Sequence, residues 1–413
     1  MSLKKDSFYI LMANIYSKGM AYLFYFITAF LLGTEEFGIL KGILPIADTL
    51  TIFFSSGVPP AIAKFLAEEK HPNIRKYSSI FYLMLILSIV GFFISPYIKY
   101  ILGGYYLTLP NILYFAVGLC IISSTLIAFS RGILQGLLRI EYLSLTWIVE
   151  YTIKVVFVFV LTLYLGVFGA LISVSLAYLI GGVFGLYLIC RSLNISNVLY
   201  LFKINPSTLF SKFNLDIFKY SVPIALTSSS YRLFGDIDNI IIMSLMGGFW
   251  SGIYGYSSLI SRGVFLFASS VSIPLLPRIS KTKDLGLLKE GIIQNTLFSS
   301  IFVIICLFFP EIPLNILFKV VNPEGILCLR ILSISSLFMS YYTLISSALQ
   351  GLGYAKTSFY IMAFGLVLNV ILNLFLVKLY GIVGGAIATL ITSITIFLIG
   401  IFAIIKIKSN YNY

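Results

Sequence analysis

The chain has 413 residues, of which 59% are hydrophobic and only 10% charged, and its mean hydropathy is +1.02. Soluble domains carry roughly 25% charged residues, so this composition is that of an integral membrane protein. The net charge of +13 comes from basic residues dispersed through short loops, which argues for orientation in a bilayer and against nucleic acid as a partner.

The chain opens MSLKKDSFYILMANIYSKGM, where Asn14 and Lys18 interrupt the apolar core and no small-residue cleavage site follows. It reads as a retained first helix and not a signal peptide. Long apolar blocks bounded by loop residues then recur, as for helices crossing about 30 Å of hydrocarbon. The short alternating segments of a β-barrel do not occur. Spans are expected near 8–32, 40–63, 77–98, 107–130, 142–165 and 168–189, and again near 217–246, 252–277, 291–310, 326–349, 357–379 and 382–405. Cys120, Cys190, Cys306 and Cys328 are scattered without CxxC spacing, and His71 is the sole histidine. Neither a disulfide framework, a metal site nor His-dependent catalysis is expected.

With both termini cytoplasmic, the inward segments hold Lys4, Lys5, Lys64, Lys70, Arg75, Lys76, Arg131, Arg139, Arg191, Lys203, Lys212 and Lys219. Arg278, Lys281, Lys283, Lys289, Lys356, Lys406 and Lys408 join them, leaving only Lys41, Lys99, Lys319 and Lys378 outside. That bias orients a multi-pass protein of the cytoplasmic membrane.

The chain also resembles itself. LQGL at 134–137 returns at 349–352, and LGVFGA (165–170) returns as YGIVGG (380–385), both at an offset of 215. At an offset of 214, LGTEEFGIL (32–40) meets MGGFWSGIY (246–254), Pro60 meets Pro274 and Lys64 meets Arg278. A constant offset signals duplication. Six spans per half make the repeat parallel, with its axis along the membrane normal. The expected fold is an all-α integral membrane protein of 12 transmembrane helices in two six-helix lobes around a central V-shaped cavity. The expected division is 1–205, including a polar cytoplasmic linker, and 206–413.

Applied to the charges, the repeat aligns Lys18 with Arg232 and Asp48 with Arg262. Asn14, Lys18, Tyr22 and Tyr25 share one face of the first span; Ser228, Ser229, Arg232, Asp236 and Asn239 share one face of the seventh. Ser258, Arg262 and Ser269 make a thinner stripe in the eighth. Such stripes should face protein or water. Lys18, Arg232 and Arg262 are therefore candidate ligand contacts. The plainer alternative pairs Arg232 with Asp236, and Glu150 with Lys154, one turn apart on their own helices. Asp238 lies about 200° around the helix from Asp236 and should meet a neighbouring helix. Pro45, Pro59, Pro60, Pro223, Pro274 and Pro277 are candidate kinks.

LLGTEEFGIL, the run DIDNIIIMSLMGGFWSGIYGYSSLI (236–260) and the QG…G-x-x-G pattern at 135–169 and 350–384 resemble the multidrug/oligosaccharidyl-lipid/polysaccharide (MOP) exporter superfamily. The likeness runs through both halves and is strongest to its polysaccharide and lipid-linked oligosaccharide flippases; lipid II flippases often have fourteen spans. It implies a rocker-switch transporter and no enzyme. Its substrate would be an anionic lipid-linked sugar, the phosphate held by Lys18, Arg232 and Arg262 with Asn14, Tyr22, Tyr25 and Asn239 nearby. The alternative is a cation-coupled multidrug or metabolite antiporter using Asp48, Glu150, Asp236 and Asp238. No cofactor is called for; coupling to H+ or Na+ stays open. Besides substrate the expected partners are membrane lipids; the oligomeric state stays open, a monomer being one option.

Overall fold

The computed structural model describes residues 3–53, 58–69, 73–202, 209 and 211–410. Lys70, His71 and Lys203 lie outside them, as does the side chain of Ser269. The described residues form helices joined by short turns, without strands. They comprise α1 (Leu3–Thr51), α2 (Val58–Ala67), α3 (Ser78–Ile94), α4 (Ile98–Leu102), α5 (Asn111–Gly136), α6 (Ile140–Leu193), α7 (Lys212–Met246), α8 (Gly248–Ser261), α9 (Val264–Thr282), α10 (Gly286–Phe308), α11 (Glu311–Phe318), α12 (Pro323–Gly351) and α13 (Ala355–Asn410).

The expected spans fall on these helices, most of them on one helix or part of one; the second runs from α1 to α2 with residues 54–57 outside the described ones, the third from α3 to α4, and the eighth breaks between α8 and α9. Three helices carry two spans each, because the chain turns back at a single glycine. Gly33 has φ 71° and ψ 180°, and its repeat partner Gly247 has φ 89° and ψ −178°. That region is essentially closed to residues with a Cβ, which explains why the repeat preserves glycine there; Gly166 and Gly381 turn α6 and α13 in the same way. The pairings across each corner confirm antiparallel hairpins. Lys41 sits over the Tyr25 ring across Gly33, Gly181 packs on Glu150 across Gly166, and Asn369 bonds Thr392 across Gly381.

The chain forms two compact units, Met1–Arg232 and Leu233–Tyr413. Their boundary falls inside α7, so its first part belongs to the N-terminal unit and its second to the C-terminal one. In the N-terminal unit, one core gathers Ile62, Tyr77, Phe129, Ile133 and Ile189 with Leu201 and Ile217 from the segment joining the halves. That segment is strapped down by Ser78 Oγ on the Leu201 carbonyl (2.5 Å) and Tyr82 Oη on the Phe202 carbonyl (2.9 Å). The C-terminal core centres on Leu275, Ile279, Tyr342, Ile345, Leu349 and Ile396. Small hydroxyls join helices within each unit: Ser123 meets Ser175 at 2.5 Å, and Ser335 meets Ser393 at 2.8 Å. Close packing of small polar residues is how helices associate where lipid removes the hydrophobic driving force.

Candidate functional site

Pro45 lies one turn before Asp48 in α1 and withdraws a donor from the helical ladder. Local hydroxyls satisfy the carbonyls around it: Thr49 Oγ1 donates to Pro45 O (2.7 Å) and Thr51 Oγ1 to Asp48 O (2.8 Å). On this stretch Asp48 receives Arg232 Nη2 at 2.5 Å. Ser229 Oγ also reaches Thr49 O at 3.4 Å, holding the first part of α7 against α1. Both charged side chains keep some exposure, 29% for Arg232 and 19% for Asp48.

Asp236 lies one turn further along α7. It takes Arg262 Nη1 at 2.7 Å, within the C-terminal unit, and is itself fully buried. Arg262 stands where the eighth span breaks between α8 and α9, with its N–H on Ser258 O (3.2 Å) and the Gly263 N–H on Ile260 O (2.8 Å). A cation suits the negative end of α8, and the break lets the guanidinium also donate to the Gly235 carbonyl. Two ion pairs thus run between separate spans, Arg232 with Asp48 and Arg262 with Asp236. An i, i+4 pair contributes only a few tenths of a kcal/mol, whereas leaving Asp48 or Arg262 alone in a span is far more costly.

Asp238 points to other helices. Its carboxylate accepts the Tyr254 hydroxyl, lies 3.5 Å from Thr389 Oγ1 and takes the Asn239 N–H at 2.9 Å. Thr389 neighbours Asn369 (3.5 Å), which bonds Asn373 at 3.0 Å. Asn373 Oδ1 and both amide atoms of Asn239 are buried without a hydrogen-bond partner among the described residues. Carboxylate, hydroxyl and amide oxygens gathered in this way are the ligand type of a small hard cation. Among the described residues no group of three or more His, Cys, Asp or Glu side chains could hold a metal, and all four cysteines are free and buried.

Glu150 corrects the second same-helix expectation. It pairs with Arg131 Nη2 at 2.5 Å, not with Lys154, while Arg131 Nε donates to Thr146 Oγ1 at 3.0 Å. Packing explains the choice: Gly181 and Gly185, without side chains, let the two arms of α6 and the end of α5 close around Glu150 and Ser130. Lys154 instead rests its ammonium over the Phe24 ring at 4.4 Å, with Tyr151 at 5.8 Å.

On the first span, Lys18 is exposed and pairs with no carboxylate among the described residues, while Asn14, Tyr22 and Tyr25 are half-buried. Lys18 and Asp48 lie equally far in sequence from Gly33, so the hairpin register brings them level. Sequence reasoning missed Lys41 and Arg131 by counting them as flanking charges, one on the outward side and the other in an inward loop. Lys41 is fully buried and Arg131 lies inside α5. Lys41 was findable, because it and Tyr25 are equidistant from the corner glycine.

The family described as polysaccharide biosynthesis protein matches residues 3–280 of the chain. An uncharacterised membrane protein of Methanocaldococcus jannaschii, MJ1375, is 77% identical over 413 residues, covering 99% of this chain and 100% of its own. Among solved structures, the lipid II flippase MurJ in an inward closed conformation gives a TM-score of 0.75 at 18% identity, over 96% of this chain and 87% of that one. A multidrug resistance MATE family transporter of the MOP superfamily, inward-facing, gives 0.69 at 15% identity, over 94% of each chain. At such identities the likeness is one of fold. The chain is a member of the polysaccharide biosynthesis protein family, and its fold is similar to those of the lipid II flippase MurJ and the MATE family transporter.

Proposed function

We propose that this protein is a flippase that carries a polyprenyl-phosphate-linked or diphosphate-linked oligosaccharide across the cytoplasmic membrane by alternating access, with both termini in the cytoplasm. One observation carries the reading: inside the expected spans of the N-terminal unit, Lys18, Lys41, Lys154, Lys219 and Arg232 stand against the two carboxylates Asp48 and Glu150. Charges at membrane depth are costly and mark substrate paths, and a net excess of cations calls for an anionic passenger.

In this account Arg232 exchanges Asp48 for a phosphate oxygen, which a planar guanidinium can grip with two parallel bonds. Lys18, level with Asp48 across the Gly33 hairpin, contacts the same group or takes over the carboxylate that Arg232 leaves. Arg262 makes the corresponding exchange from Asp236. Asn14, Tyr22 and Tyr25 line the Lys18 face for the sugar; Asn239, being buried, supports its helix from behind. Transport requires no covalent step. The test is flipping of a fluorescent lipid-linked sugar in proteoliposomes, lost in Arg232→Ala.

The antiporter reading is favoured by a different observation, the buried oxygen set around Asp238, Asn369, Asn373 and Thr389. Efflux of a cationic drug that depends on Asp238, in the absence of lipid flipping, would select it.

A further inference from the structure

Lys154 sits mid-way along the first arm of α6, half-buried and within a span. Its nearest same-helix carboxylate, Glu150, is taken by Arg131. Among the described residues Lys154 makes no ion pair, and its ammonium is held only by the faces of Phe24 and Tyr151. Thr152 Oγ1 meets Tyr16 Oη at 2.7 Å, joining α6 to the first span beside the lysine. Aromatic faces attract a cation without neutralising it. An ammonium kept in a span with no counter-charge is kept for an anion that arrives.

We propose that Lys154 is an anion-binding residue that receives the second phosphoryl group of the substrate, so that the protein selects diphosphate-linked over monophosphate-linked lipids. The inference rests on the flippase reading above. The division of labour follows from the partners. Arg232 must give up Asp48 before it can bind, whereas Lys154 has no carboxylate to release, so the additional phosphoryl group meets a cation already available. Trp147, Tyr151 and Lys154 follow one another on one face of α6, and Trp147 lies beside the Arg131 guanidinium, 5.9 Å from ring to carbon. The face therefore continues from the lysine toward the paired Arg131 and Glu150, leaving no carboxylate on it uncommitted.

The test titrates the full-length protein in detergent with geranylgeranyl diphosphate and with geranylgeranyl monophosphate, measuring heat of binding. A charge-assisted contact is worth about tenfold or more in affinity, so the wild type should prefer the diphosphate by about that factor. Lys154→Gln should bind both ligands as the wild type binds the monophosphate, and Lys154→Arg should keep the preference. Phe24→Leu, which removes the ring steadying the ammonium, should reduce the preference by about threefold and serves if Lys154→Gln fails to accumulate. Arg232→Ala should weaken both ligands while leaving their ratio intact. Retention of the wild-type preference by Lys154→Gln, or by Phe24→Leu in its place, overturns the proposal, as does a wild type that binds both ligands equally. In those cases the flippase reading stands as long as Arg232→Ala weakens both. A wild type that binds neither ligand overturns both readings together.

Discussion

Asp48 and Arg262 occupy equivalent positions in the two halves of the repeat and carry opposite charges, yet one turn of a single helix answers both. Arg232 of α7 neutralises Asp48 at 2.5 Å, and Asp236 of α7 neutralises Arg262 at 2.7 Å. The two positions stand in register at an offset of 214 and differ in the sign of their charge. The turn of α7 that follows carries both complementary charges, each committed within its own unit.

If Asp48 competes with the substrate for Arg232, then removing Asp48 should tighten binding and slow release. Asp48→Asn is expected to bind a prenyl phosphate about tenfold more tightly than the wild type, a difference of about 1.4 kcal/mol, while flipping more slowly. Paired binding and flipping measurements on the same preparation check this. Equal affinity in both proteins would mean that Asp48 only anchors the helix.

The Arg131–Glu150 pair is buried more deeply, with side chains 18% and 7% exposed. Removing one partner strands the other, which typically costs 3–5 kcal/mol for a buried pair. Glu150→Gln should therefore lower the thermal unfolding temperature clearly, by about 3 kcal/mol of stability. The double substitution Arg131→Met with Glu150→Gln should recover most of that loss, because no bare charge remains. A double variant as unstable as the single one would point to lost packing instead.

Corner glycines and helical glycines should respond in opposite ways. Gly33→Ala forces a Cβ into backbone at φ 71°, ψ 180°, a strain of about 1–3 kcal/mol. Gly19 lies within α1, and a Cβ there would meet nothing within 4 Å. Gly19→Ala should be neutral or stabilise by up to about 1 kcal/mol. Unfolding temperatures of the two variants should diverge accordingly.

These contrasts also mark what the sequence made legible. The repeat glycines Gly33, Gly247, Gly166 and Gly381 could be read because a backbone requirement leaves one residue type as its trace. The polar stripes of the first and seventh spans could be read because helical periodicity is local. Partner choice could not. That Asp48 takes Arg232, Asp236 takes Arg262 and Glu150 takes Arg131 depends on which helices lie side by side and where a span breaks. Lys41 escaped for a related reason: a lysine shortly after a corner looks like a flanking charge until the hairpin folds it onto Tyr25.

Outside the spans, Glu69 supplies a pH-dependent contribution. Partial burial alone would raise its pKa, but the Asn73 N–H (3.1 Å), Lys76 Nζ (3.2 Å) and Tyr77 Oη (3.1 Å) outweigh it, and the carboxyl titrates below its ordinary value. A depressed folded pKa gives stability that is present above the unfolded value and lost as pH falls through the folded one. The wild type should be more stable than Glu69→Gln near neutrality, and the difference should shrink below about pH 4. Unfolding temperatures across that range check it; a difference that grows on acidification would contradict the assignment.

The central claim, that a cationic N-terminal unit carries an anionic lipid-linked headgroup, is tested most directly by flipping of a fluorescent lipid-linked sugar in proteoliposomes. The comparison sets wild type beside Arg232→Ala and Lys18→Ala, with insertion verified for each. The account predicts flipping by the wild type and its loss in both substituted proteins. Full flipping by both substituted proteins would contradict it, as would a wild type that exports a cationic drug and leaves the lipid in place.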